Sequence, residues 1–184
     1  MTAAAPGPRI DVLFTEEEIA ARVAALAREI VADLRGDFLV VVILKGSFVF
    51  AADLIRALER LGASAQVDFI TLSSYGAGTA SAGAVRLTHD LVEDVAGRAI
   101  LIVDDVLESG RTLAFARDTL RARGAASVRS CLLLDKPARR AVEIEADYVG
   151  FRIGSEFVVG YGLDLAHRYR GLPYIGVPRD GTAG

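Results

Sequence analysis

Ala99-Ile100-Leu101-Ile102-Val103-Asp104-Asp105-Val106-Leu107-Glu108-Ser109-Gly110-Arg111-Thr112 runs from an apolar stretch through two adjacent acids into a polar turn. Ala99–Val103 is short, apolar and β-branched, as expected of a strand buried on both faces. An acidic turn follows, and Arg111–Arg123 then reads as a helix closed by Gly124. The N-terminus of such a helix offers unpaired N–H groups and the positive end of its dipole, which suits a phosphate. Gly110 lets the backbone come close to a ligand, and Ser109 and Thr112 add hydroxyl donors. Asp104 and Asp105 would repel a bare phosphate. As acceptors they suit sugar hydroxyls, with a metal ion nearby to offset their charge. An ordinary strand-to-helix loop capped by Ser109, with solvated acids, fits the same letters.

Working outward, Thr15-Glu16-Glu17-Glu18 reads as a capping box. Ile19, Val23, Leu26, Ile30 and Leu34 then recur at helical spacing, which predicts a helix over Thr15–Leu34. Phe38–Leu44 is a second strand of the doubly buried kind, broken by Lys45-Gly46-Ser47, and Phe48–Leu61 is helical up to Gly62. Ala65–Leu72 is a strand leading into the small-residue stretch Ser73–Gly83, with Val85–Leu87 a short strand beyond it. Ser127–Leu134 is another strand, and Tyr148–Ile153, Phe157–Val159 and Tyr174–Val177 are short β candidates. Buried strands alternating with helices predict an α/β fold with a mostly parallel central sheet flanked by helices. Ligands in such sheets gather at the carboxyl ends of strands, so the loops after Leu44, Leu72, Val103 and Leu134 are the places for a site.

The whole chain, 1–184, reads as one domain, with 1–9 and 179–184 as mobile tails. A 52% apolar share against 24% charged residues excludes wholesale disorder. A net charge of −3 gives no global basic signature, so nucleic acid is not an expected partner. Residues 1–9 have no signal-peptide character and no apolar run nears the roughly 20 residues of a membrane helix, so the expected location is the cytoplasm. Cys131 sits in an apolar run and reads as a buried hydrophobe. His89 and His167 lack metal-ligand spacing. No G-x-x-x-x-G-K-[ST] occurs, and Gly76-Ala77-Gly78 is followed by Ser81 where a dinucleotide fingerprint wants its third glycine.

The segment ILIVDDVLESGRTL resembles the phosphoribosyl-pyrophosphate (PRPP) signature of type I phosphoribosyltransferases. ILKGSFVFAADL, the Ser74-Tyr75 pair, LLLDKPARR and FVVGYGLDLAHRYRGLPYIGV resemble segments of the hypoxanthine-guanine phosphoribosyltransferases. They come in that family's order with compatible spacing, over roughly residues 10–178. The resemblance implies the type I phosphoribosyltransferase fold with a small hood. It also implies transfer of a 5-phosphoribosyl group from PRPP to a 6-oxopurine, in purine salvage, with Mg²⁺ and a homodimer or homotetramer.

By the same resemblance, Asp104 and Asp105 hold the ribose hydroxyls and the metal's surroundings, while Glu108, Ser109, Gly110, Arg111 and Thr112 wrap the 5′-phosphate. Lys45 and Gly46 would meet the pyrophosphate through backbone N–H groups, and the family often holds the preceding bond in cis, which implies a cis Leu44–Lys45 bond. Lys136 matches the lysine that donates to the purine 6-oxygen. Phe157 matches the aromatic that stacks on the base, and Val158 the residue whose backbone pairs with its edge. Asp164 matches a carboxylate beside a second metal, and Arg140 and Arg170 match pyrophosphate-binding arginines. Ser73–Gly83, led by Ser74 and Tyr75, matches a lid that closes over the reaction.

One position departs from the pattern. The family usually carries aspartate where Glu108 stands, as the proposed general acid or base beside purine N7. Glutamate extends the carboxyl by about 1.5 Å. The catalytic set implied is Glu108, Asp105 and Lys136. Two rival readings use the same residues: a phosphoribosyltransferase for xanthine or another base, and a regulator that keeps the ligand site with weakened catalysis.

Overall fold

The computed structural model describes residues 8–74 and 85–179. Its centre is a six-stranded sheet in the order β4-β3-β2-β5-β6-β7. The strands are β2 (Phe38–Leu44), β3 (Ala65–Ser74), β4 (Val85–His89), β5 (Ala99–Leu107), β6 (Ser127–Asp135) and β7 (Tyr148–Arg152). All neighbours run parallel except β4, which pairs antiparallel with β3. The fold is thus the expected α/β one.

The apolar letters of β2 account for its place in the middle. Phe38, Val40 and Val42 pack on one face against α1 (Glu16–Asp33) and α2 (Phe48–Arg60). Leu39, Val41 and Ile43 pack on the other, against α3 (Arg111–Ala122). A strand covered twice has no polar face to alternate with. Helix α1 opens on the expected capping box: Thr15 N donates to Glu18 Oε2 at 2.8 Å, and Glu18 N to Thr15 Oγ1 at 3.3 Å. Such a cap stabilises a helix by about 1 kcal/mol.

The chain moves from β2 to β3 on one side and returns to β5 on the other. Strand order therefore reverses between β2 and β5, and the crevice at their carboxyl ends is where such sheets take ligands.

Several boundaries differ from expectation. β5 does not end at Val103 in an acidic turn but continues through Asp104 and Asp105 to Leu107. Its neighbour β6 supplies partners that far, with Asp104 opposite Leu132 and Leu107 opposite Asp135. Phe157–Val159 is not a strand; only Val159 makes a bridge, to Gly176. A strand not foreseen, β1 (Arg9–Phe14), pairs antiparallel with β8 (Ile175–Arg179) as a separate two-stranded sheet. Its register joins Arg9 to Arg179, so the innermost residue of each expected tail is paired. Cys131 is buried, and burial pushes its thiol well up, which makes it inert as a nucleophile.

Candidate active site

Beyond the carboxyl end of β5 lies a cavity of about 500 Å³. Asp104 through Leu113 form its floor, Lys136 and Arg139 one wall, and Phe157, Val158, Leu163 and Asp164 another. The structure thus gathers most of the residues singled out from sequence, although they come from four separate stretches of chain.

The acidic pair lies at the end of β5. Asp104 is buried, with 6% exposure, and its Oδ1 accepts from the amide of Asp105 at 2.9 Å. Burial and the neighbouring Asp105 charge raise the Asp104 pKa well above the ordinary carboxyl range. Burial also raises that of Asp105, against the lowering effect of hydrogen bonds and of the Arg170 charge. Gly46 is what lets Asp105 sit here: a Cβ on that glycine would stand 1.6 Å from Asp105 Oδ2. Lys45 is exposed and the Leu44–Lys45 bond is cis.

Burial thus leaves both carboxyls with raised proton affinity. A carboxyl whose pKa is higher folded than unfolded holds its proton more tightly in the folded chain, so stability falls as pH rises past the ordinary Asp range. Asp104→Asn keeps the acceptor for the Asp105 amide and removes the repulsion. The variant is expected to melt higher than the parent at about pH 7.5, by roughly 2–4 °C for each kcal/mol relieved, with the gain shrinking towards about pH 4. Thermal unfolding of both proteins at the two pH values checks this; an equal or lower melting temperature at neutral pH would count against a strained pair.

The donor set also fits Mg²⁺, which takes hard oxygen ligands from one or two carboxylates and completes its shell with water and substrate phosphates. Asp104 and Asp105 offer such oxygens and line the cavity. Asp164 is already engaged: its Oδ1 meets Arg170 Nη2 at 2.6 Å, and its Oδ2 accepts from His167 N at 2.7 Å.

Lys136 follows β6, and its amide closes the β5–β6 ladder on Leu107 O at 3.0 Å. Its side chain is only 6% exposed, and Nζ donates to Glu108 Oε1 at 2.7 Å. Both residues line the cavity. Phe157 is 48% exposed beside them, and Val158 is buried. An exposed aromatic at the mouth of a cavity is a surface on which a flat ring can stack.

Three expected ligands also have partners or packing within the protein. Arg140 does not line the cavity; it bonds backbone carbonyls of the loop and Asp135. Arg170 holds Asp164 and Gly162 O, the latter at 2.7 Å. Gly110 answers to the protein's own packing as well as to close approach. Its φ is +83°, and a Cβ there would lie 2.6 Å from Ile144 Cγ2. Arg139, which lines the cavity, was not singled out, and nothing in its sequence context separates it from any surface arginine. Ser74 ends β3, while Tyr75 and most of the expected lid lie outside the described residues. Among the described residues no helix is long and apolar enough to cross a membrane.

Residues 10–165 match the phosphoribosyl transferase domain family. The chain belongs to that family. Its relatives within it include hypoxanthine phosphoribosyltransferases: it is 46% identical to the Escherichia coli hypoxanthine phosphoribosyltransferase over 91% of its own length and 94% of that protein. It is also 49% identical to the bifunctional protein TilS/HprT of Listeria monocytogenes over 90% of its length, and spans 25% of that longer protein. Among solved structures, a hypoxanthine-guanine phosphoribosyltransferase of Bacillus anthracis superposes with a TM-score of 0.87 at 43% identity, covering 93% of this chain and all of the other.

Proposed function

We propose that this chain transfers the 5-phosphoribosyl group of PRPP to N9 of hypoxanthine or guanine, with Mg²⁺, as a cytoplasmic purine-salvage enzyme working as a homo-oligomer. The observation that carries the reading is the juxtaposition in one cavity of an anion-seeking helix start, the adjacent acids Asp104 and Asp105, and the Lys136–Glu108 pair. The amides at the start of α3 suit the 5′-phosphate. Asp104 and Asp105 accept from the ribose hydroxyls. Lys136 keeps spare N–H donors and gives one to the purine 6-oxygen, while Phe157 stacks on the ring and the Val158 backbone meets its edge.

In the reaction the C1–N9 bond forms as the C1–O bond to pyrophosphate breaks, and the base loses a proton. In this reading Glu108 takes the proton from N7, with Lys136 holding its Oε1. Bound Mg²⁺ would supply positive charge to the departing pyrophosphate, with Asp104 and Asp105 as the residues that hold it. The apolar wall of Val106, Leu107 and Leu163 keeps water from the sugar, where an oxocarbenium-like centre develops.

One assay tests the whole reading: hypoxanthine, guanine, xanthine and adenine offered with PRPP, with and without Mg²⁺. Turnover of hypoxanthine or guanine that depends on Mg²⁺ is expected. Turnover of xanthine alone would move the chain to another base, and no turnover of any would leave a binding protein. Glu108→Gln keeps the shape and one acceptor but gives up the base, so turnover is expected to fall at least about tenfold. A rate within twofold of the parent would remove Glu108 from proton transfer.

A further inference from the structure

The segment after β6 grips the back of the phosphate loop. Arg140 Nη1 donates to Leu107 O at 3.0 Å and to Glu108 O at 2.7 Å, while Nη2 donates to Asp135. Ser109 O accepts from the amides of Ala141 and Val142, at 3.0 and 3.1 Å. Three successive carbonyls are thus tied to one strap. In a trans peptide the carbonyl and the following N–H point in opposite directions. Holding the carbonyls of Leu107, Glu108 and Ser109 therefore turns the amides of Glu108, Ser109 and Gly110 away from the strap, to the side where the cavity lies. Among the described residues no backbone carbonyl accepts from those three amides.

Arg140 is anchored in turn. Asp135 is buried, at 6% exposure, and also meets Arg152 Nε at 3.4 Å. The fork of a guanidinium can hold a carboxylate and two carbonyls at once, which a single ammonium does less well. The Arg140 stem packs against the space above Gly110, where a Cβ would lie 3.2 Å from Arg140 Cδ.

We infer that Arg140 is a positioning residue that sets the anion-binding amides of residues 108–110, and is not a ligand of pyrophosphate. This rests on the transferase reading above. It divides the two ends of PRPP: loss of Arg140 weakens the grip on the 5′-phosphate and spares the pyrophosphate.

The test uses the full chain and its reverse reaction. Calorimetry measures the Kd for IMP, and steady-state kinetics at saturating IMP measures the KM for pyrophosphate. Arg140→Met is expected to weaken IMP at least about tenfold while the pyrophosphate KM moves less than about twofold, and Arg140→Lys to recover part of the loss. If Arg140→Met does not fold with Asp135 left short of a partner, the Arg140→Met/Asp135→Asn double variant and Arg140→Lys give the same two readings. An unchanged IMP affinity, or a loss that falls on pyrophosphate, overturns the inference. A parent protein that binds no IMP would instead overturn the transferase reading itself.

Discussion

Lys136→Met is expected to lower kcat/KM for hypoxanthine at least about 100-fold, because a site built to hydrogen-bond one oxygen suffers most when its donor is lost. The reason is the placement of the ammonium. Its amide is pinned by the β5–β6 ladder, its side chain is 6% exposed, and its one described side-chain partner is Glu108. Methionine fills a similar volume, so the wall keeps its shape while the purine 6-oxygen enters a buried place with no donor. Glu108, 42% exposed, then keeps water as a partner, so the cost falls mainly on the base and not on the fold. Adenine, which has no 6-oxygen, should lose far less, and selectivity between the two bases should narrow. Steady-state kinetics with both bases reads this directly; a loss under tenfold for hypoxanthine would take Lys136 out of base recognition.

Gly46→Ala is expected to cost about as much through a different route. The new Cβ would stand 1.6 Å from Asp105 Oδ2 and 2.7 Å from its Cγ. Those distances cannot be met, so the carboxylate must swing away or the loop after β2 must lift. Gly46 has no positive φ, so alanine adds no backbone strain of its own and the damage is local. Displacing a positioned group by about 1 Å costs on the order of 10²-fold in rate. A fall of that size in kcat/KM for PRPP, with a melting temperature close to the parent's, is the expected pair of results. Activity within threefold would mean that Asp105 can work from another position.

The Lys136–Glu108 pair also accounts for the unusual letter at 108. An aspartate there would end one methylene shorter, by about 1.5 Å. The glutamate reaches Lys136, with its Oε1 2.7 Å from Nζ. The substitution reads as a change in how the carboxylate is held, compatible with a working enzyme.

What local sequence decided is clear in β2 and α1. Phe38–Leu44 is apolar at every position, and only burial on both faces tolerates that; Thr15 and Glu18 name the helix start within four letters. The proposed helix-start phosphate site was legible for the same reason, since helix ends leave N–H groups free whatever surrounds them. Other features depended on partners distant in the chain. β5 runs through two acids because β6 continues beside it, and no propensity of Asp104 or Asp105 would say so. β1 exists because β8, across the whole chain, offers an edge to it.

The sequence alone therefore determined the class of fold, the strand-to-helix turn of the proposed phosphate site and, through its resemblances, the family. Tertiary structure alone decided what each charged side chain does there. Arg140, Arg170 and Asp164 all look like free ligands in the chain, yet folding supplies the first with backbone carbonyls and joins the other two to each other. Periodicity and helix caps arise within a few residues. A charge takes the nearest opposite group in space, and only the packed chain says which group that is.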